Sequence, residues 1–313
     1  MATPVLVERY ASGHLAALRR FACGITVITI LGHAWLGFEQ SYAQPLAALA
    51  TAYSMQLLLE TMDAWCNKRR PRFLGGPLKL LDFLLSAHIT ALAVAMLLYY
   101  NDQLWIVAFA TAVAIGSKTI FRVPVGNGSR HFLNPSNFGI AVTLLLFPSV
   151  GIFIPWQFTE QLNAVGDWAF PVVILGTGLF LNARYNKRLP LITGFLAGFV
   201  LQALIRTWLF DTNFLAIAAA VTGPAAAIYV FFMVPDPATT PERPAPQVAF
   251  GLGVALVYLV LVVAHIVYGL FLALTIVCAV RGLWLFWLAI RQGETESDTP
   301  PARPAPVAAE LPA

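Results

Sequence analysis

The stretch "RHFLNPSNFGIAVTLLLFP", Arg130 to Pro148, carries the reading of the fold. It opens on a cation and an imidazole, passes through Asn-Pro-Ser-Asn, and becomes a nearly continuous apolar run. Asn134-Pro135 reads as a helix start, because Asn is a good N-cap and Pro is favoured at the first helical position. The run that follows, about 135–150, reads as a membrane helix with a polar mouth. Its first turn would present free N–H donors and a partial positive charge. With Arg130 and His131 just ahead of it, and Ser136 and Asn137 within it, that end is a candidate site for a phosphate or carboxylate.

The rest of the chain supports a bilayer setting. Of 313 residues, 59% are hydrophobic and 11% charged, against roughly 25% charged in an ordinary soluble domain. Cys23, Cys66 and Cys278 are far apart with no Cys-x-x-Cys or Cys/His cluster, so no disulfide framework or metal site is expected. No short apolar region followed by a small-residue cleavage site appears near the start, so no cleaved leader is expected.

Scanning for apolar stretches of span length gives an all-α, polytopic membrane protein with about ten transmembrane helices. They fall at about 21–38, 45–62, 80–100, 104–121, 135–150, 167–182, 190–210, 214–233, 248–266 and 268–290. Residues 1–20 form an N-terminal segment, 21–291 the membrane domain, and 292–313 a Pro- and Ala-rich tail expected to be disordered. With that count, Lys and Arg gather on one side, notably in Lys68-Arg69-Arg70-Pro71-Arg72, Lys118/Arg122/Arg130 and Arg184/Lys187/Arg188. Glu39, Asp102, Glu160, Asp167 and Asp211 fall on the other. The positive-inside rule then places both termini in the cytoplasm and the chain in the inner (cytoplasmic) membrane. Topology and anionic lipid account for the basic residues, so no nucleic-acid partner is expected.

Ionisable groups inside spans are functional candidates. Glu60 lies near the end of the second stretch and Asp63 follows on the same face. Asp82 opens the third, with His88 deeper at helical spacing. Glu60, Asp82 and His88 are candidates for an ion or proton pathway. The bland alternative for the two carboxylates is pairing with the basic 68–79 loop. Arg281 would pair with a carboxylate or snorkel. His33, His88 and His265 show no spacing suited to haem.

A second polar phrase, "FFMVPDPATTPERP" from Phe231 to Pro244, ends the eighth stretch. Pro-interrupted apolar segments in two parts of a transporter point to its binding site. The two phrases, in this order and with "LLLE" at Leu57–Glu60, resemble the RnfD/NqrB family, membrane components of the Rnf electron-transport complex and of the sodium-translocating NADH:quinone oxidoreductase. The resemblance covers about 20–290. It implies two inverted five-helix halves, a flavin (FMN or riboflavin), electron transport, and coupling to Na+ or H+ translocation with redox partner proteins. It implies that Arg130, His131, Asn134, Pro135, Ser136, Asn137, Asp236 and Pro237 line the cofactor or ion site.

The family attaches FMN to a threonine in a Ser-Gly-Ala-Thr motif between the fifth and sixth spans. Here that connection reads "PSVGIFIPWQFTEQLNAVGDW", with Thr159 but no such motif. Flavin would therefore be held noncovalently. Two other readings stand beside a flavin-dependent translocase component. One is a non-redox transporter or channel for a small solute or ion with the same fold; the other is a membrane scaffold for a redox partner.

Overall fold

Proline sets where most of the helices begin. In the computed structural model, which describes residues 4–100, 103–125, 128–152, 164–219 and 221–297, seven of the eleven described helices carry Pro among their first three residues. There the ring costs no hydrogen bond, because the first N–H groups have no intrahelical acceptor. The helices are α1 Pro4–Leu31, α2 Ala43–Cys66, α3 Pro77–Leu97, α4 Leu104–Ile120, α5 Pro135–Leu146, α6 Ala164–Leu181, α7 Leu189–Phe210, α8 Phe214–Ala219, α9 Pro224–Ile228, α10 Pro244–Val263 and α11 Gly269–Ser297. Short strands β1 Leu98–Tyr99 and β4 Gly151–Ile152 pair with each other, as do β2 Arg122–Val125 and β3 Gly128–His131, both antiparallel.

Three helices widen into a π-turn where they end. α1 runs into Gly32–Leu36, α6 into Asn182–Asn186, and α9 into Tyr229–Met233. The first closes on Gly37 with φ of 82°, a left-handed conformation that costs glycine nothing. The second closes on Lys187 in the same region, with φ of 53°.

Helices α1 to α5 pack chiefly among themselves, and α7, α10 and α11 form a second group. α11 joins the two by touching α5 and β2. The closest helix pair is α7 against α10, and small residues make it possible. A Cβ on Gly251 would lie 2.6 Å from the Phe195 nitrogen, and one on Gly194 would lie 2.8 Å from the Val248 Cα. The two backbones are therefore in direct contact, as in membrane helix pairs built on glycine. Away from these seams the helices present large apolar side chains outward. Val200, Leu204 and Trp208 do so on α7, Leu256, Val260 and Val263 on α10, and Val280, Leu283 and Trp284 on α11. Such surface suits hydrocarbon rather than water.

The structure corrects the expected number of spans. Among the described residues, five helices are long and apolar enough to cross a membrane: Leu15–Leu36, Pro77–Leu97, Leu189–Phe210, Pro244–Val263 and Gly269–Arg291. The fold is all-α with five candidate spans, not about ten, and the five-plus-five arrangement falls with that count. α4 has 17 residues and α5 has 12, so at about 1.5 Å per residue α5 reaches only about 18 Å, against a hydrocarbon core of roughly 30 Å. The stretch expected as one span over 214–233 is broken into six-residue α8, five-residue α9 and a π-turn. α2 is long enough, but Gln44, Ser54, Gln56, Glu60 and Asp63 dilute its apolar character. The alternation of sides that put both termini in the cytoplasm rested on the larger count and loses its footing. The protein remains a polytopic membrane protein with several apolar helices.

The β2–β3 hairpin is a second departure from the all-helical expectation. Its register sets Arg122 opposite His131 and Val123 opposite Arg130. The sequence signal is the pair Gly126-Asn127 between the two extended stretches, a two-residue hairpin marker that the apolar context hides.

The α7–α10 seam makes a direct prediction. Gly251→Ala forces backbone apart and should destabilise the protein by about 1–3 kcal/mol. Gly253→Ala, on the same helix with open space around its Cβ position, should be tolerated. Melting of the two variants in mild detergent checks this, and equal melting points would show that the seam is not set by glycine.

Candidate functional site

The two polar phrases, about a hundred residues apart in the chain, meet. Asn134 accepts the N–H of Asn137 through Oδ1 at 3.0 Å, the N-cap bond expected from its position. Its amide nitrogen donates to the Met233 carbonyl at 2.9 Å. Asn134 is thus an N-cap for α5 and, at the same time, a donor to the π-turn that ends α9. Asn182 does the same from another side, donating to the Phe231 carbonyl at 2.7 Å and the Gly178 carbonyl at 2.9 Å. Carbonyls near a helix end need such partners when buried. Asn137 is 1% exposed and anchors α5 to α11 by donating to the Phe271 carbonyl and the Thr275 hydroxyl, both at 2.9 Å. Its Oδ1 is buried without a partner.

Beyond the π-turn the chain folds into a tight turn at 236–240. Asp236 accepts from the Ala238 N–H at 3.1 Å and the Thr239 hydroxyl at 3.0 Å. The Thr240 hydroxyl donates to the Asp236 carbonyl at 2.6 Å. Asp236 therefore spends its carboxylate on organising its own turn. Three arginines then converge on that turn. Arg130 donates to the Pro237 carbonyl, Arg188 reaches the same oxygen at 3.4 Å, and Arg281 donates to the Thr239 carbonyl at 3.0 Å. Arg130 also lies 3.7 Å from the exposed Glu242 carboxylate.

His131 is half-buried beside this cluster. Burial pushes its pKa below the ordinary 6.5; Asp236 pulls the other way, and Lys118, Arg122 and Arg130 add to the depression. The folded protein thus favours neutral imidazole. Pro135 and Pro237 place the backbone: the first opens α5 and the second offers the carbonyl that two guanidinium groups share. The Ser136 hydroxyl donates to Asn134 Oδ1 at 3.1 Å.

Six of the eight residues expected to line a site, namely Arg130, His131, Asn134, Asn137, Asp236 and Pro237, are gathered into one junction, and Pro135 and Ser136 sit in the same helix turn. Glu60, Asp82 and His88 lie in other contacts, Glu60 with the loop that follows α2 and the other two among α1, α2 and α3. Glu60, 4% exposed, receives Arg69 at 2.6 Å, the Arg72 N–H at 2.7 Å and the Arg72 side chain at 2.8 and 2.9 Å. That is the pairing with the basic loop. Asp82 instead pairs with Arg19 on α1, at 2.7 and 2.8 Å. His88 sits between hydroxyls of two helices, Thr26 at 2.7 Å from Nε2 and Tyr53 at 2.6 Å from Nδ1. Thr159 and Trp156, in the connection where covalent flavin would attach, lie outside the described residues.

Sequence reasoning misses Arg188, Arg281 and Asn182 as members of the junction. Arg281 is a lone cation in an apolar helix, for which a carboxylate or the interface is the expected destination; the structure gives it a backbone carbonyl. Asn182 carries no signal of its own, lying at the end of an apolar stretch. Comparison of the chain with protein-family models and with curated proteins finds no match.

The junction's bonds rank two substitutions. Asn134→Ala removes an N-cap and orphans the Met233 carbonyl, and should cost about 2–3 kcal/mol. Ser136→Ala, which removes one hydroxyl donor, should cost less than about 1 kcal/mol. Melting points of the two variants check this order. For His131, the unfolded chain takes up a proton below about pH 6.5 while the folded chain resists it, so stability is full above that pH and falls below it. The wild-type melting point should drop on going from pH 7 to pH 5.5, and His131→Asn should flatten that drop.

Proposed function

We propose that the chain is a membrane transport protein whose binding site is the junction of the α5 mouth with the 229–240 segment. One observation supports this most: two interrupted helical segments, remote in sequence, meet and share hydrogen bonds through Asn134–Met233 and Arg130–Pro237. Interrupted helices leave backbone groups free to face a ligand, and in transporters such pairs mark the binding site. The non-helical backbone here is enclosed by protein side chains, as irregular backbone at membrane depth has to be.

A finer reading is a membrane component of a flavin-dependent electron-transport system, served by a redox partner and coupled to Na+ or H+ movement. Two of the three stretches that carry the resemblance, the Arg130–Asn137 and Asp236–Pro237 phrases, are drawn together by the fold, which favours it. The donor set also fits the phosphate end of FMN: Arg130, Arg188 and Arg281 are there, with Lys118, Arg122 and His131 close by. Those residues would hold it, and bound flavin would supply one- and two-electron transfer. The chain's own part is to bind the anionic end, orient it through Asn134 and Asn137, and keep His131 neutral.

The test is made on purified protein in mild detergent and then in proteoliposomes. Jumps in Na+, H+ or phosphate on a supported membrane should give a current absent from protein-free liposomes and lost in Arg130→Gln. No current for any of the three would overturn the transport reading. An absorption spectrum after acid precipitation decides the finer one. A yellow supernatant supports noncovalent flavin, and a colourless protein after incubation with FMN and riboflavin removes it.

A further inference from the structure

We propose that the end of α2 binds an anionic phospholipid, with its phosphate at Lys68 and its chains along the outer face of the helix. The site shares no residue with the junction and does not depend on the transport reading. An open groove of about 510 Å³ lies there, lined by Ala64, Trp65, Cys66, Lys68 and Arg69. The loop that follows leads into Pro77–Leu97, a candidate span. The groove therefore sits at one end of a membrane crossing, at the depth of the headgroups.

The face of α2 that approaches the groove suits hydrocarbon. Leu58, Met62 and Trp65 recur at helical spacing and are exposed, Trp65 at 81%. Glu60 and Ala64, on the opposite side, are buried. This end of the helix turns its buried carboxylate inward and large apolar side chains outward, the reverse of a helix that faces water. A tryptophan so open is favoured where its ring meets acyl chains and its N–H meets headgroups.

The charges around the groove divide into a paired set and an unpaired one. Glu60 and Asp63 hold Arg69, and Glu60 also holds Arg72. Two carboxylates thus balance two guanidinium groups. The side chains of Lys68 and Arg70 are exposed and make no hydrogen bond or ion pair among the described residues. Lys68 lines the groove, and its ammonium keeps three donors for a ligand. The end of α2 leaves few carbonyls to repel an anion. Those of Asp63, Ala64 and Trp65 accept the N–H groups of Asn67, Arg69 and Lys68 at 3.0, 2.9 and 3.2 Å.

Lys68 has φ of 49°, a left-handed conformation that glycine takes after a helix end at no cost. A lysine held there favours a use for its side chain. A zwitterionic headgroup carries its own cation beside the phosphate and gains less from Lys68 than a net-negative one. A soluble phosphate would leave the Leu58–Met62–Trp65 face uncovered, so the partner is a lipid.

The test places the full chain in vesicles of equimolar phosphatidylcholine and phosphatidylglycerol, with bromine on the chains of one lipid or the other. Fluorescence quenched in wild type beyond that in Trp65→Phe reports lipid contact with Trp65. For that component, phosphatidylglycerol should show a relative binding constant about fivefold above phosphatidylcholine. Lys68→Gly should lower the preference about threefold and melt no lower than wild type, because glycine adopts this conformation freely. Lys68→Gln removes the charge without the backbone change and should lower the preference alike. Lys187→Gly, the same exchange at another exposed left-handed lysine, should leave it unchanged. Equal quenching by the two lipids, or a wild-type signal identical to that of Trp65→Phe, overturns the inference. So does a preference that survives both Lys68 variants, or one that falls equally in Lys187→Gly and so belongs to the net charge of the chain.

Discussion

The structure turns on how the carbonyls of residues 231–239 are satisfied. Where α9 ends, its backbone leaves helical register, and carbonyls buried there need donors from elsewhere in the chain. Side chains from elsewhere do the work instead. Asn182 serves Phe231, Asn134 serves Met233, Arg130 and Arg188 serve Pro237, and Arg281 serves Thr239. A buried carbonyl left without a donor costs on the order of 1–3 kcal/mol, so these five side chains set the relative positions of β3, α5, α6, α7 and α11. Among the described residues, no single helix contact links as many elements.

This bonding pattern explains the rest of the architecture. α11 is held to the first helix group by Asn137, through Phe271 and Thr275, and by the Gly282 position, where Phe132 packs so closely that a side chain could not fit. The α7–α10 pair meets α11 through α10. The polar junction therefore sits where the two helix groups are joined, and the apolar seams to either side hold it. The α1–α3 network of Asp82, Arg19, Thr26, Tyr53 and His88 is separate in its hydrogen bonds. It approaches the junction through Lys118, which donates to the Ser86 carbonyl at 3.1 Å and hydroxyl at 3.0 Å.

Much of the junction is legible in the sequence, and the reason is local. Asn134-Pro135 encodes a helix start in two residues, and the cap bond to Asn137 follows from that. Asp236 between Pro235 and Pro237 encodes a turn in the same way. What is not legible depends on distance. Nothing near Arg281 tells that a carbonyl from residue 239 will face it, and nothing near Asp82 selects Arg19 rather than the basic loop. Apolar composition also hides backbone breaks: 214–233 has the hydropathy of a span, but Gly223-Pro224 starts a new helix inside it. The π-turns leave no trace, since residues such as Tyr229–Met233 look like ordinary helix in a hydropathy scan.

The overcounted spans and the candidate site have one physical cause. A helix that crosses a membrane unbroken satisfies its own backbone and leaves only side chains to bind a ligand. The prolines and asparagines that cut α5 to 12 residues and α9 to five remove that self-sufficiency. Each cut exposes N–H groups at a start and carbonyls at an end, and the chain must bring polar side chains to meet them. Arg130, Arg188 and Arg281 are brought in for those carbonyls. The short helices are thus the origin of the arginine-rich junction: the same proline and asparagine positions that remove two expected spans create the carbonyls that the arginines and asparagines serve.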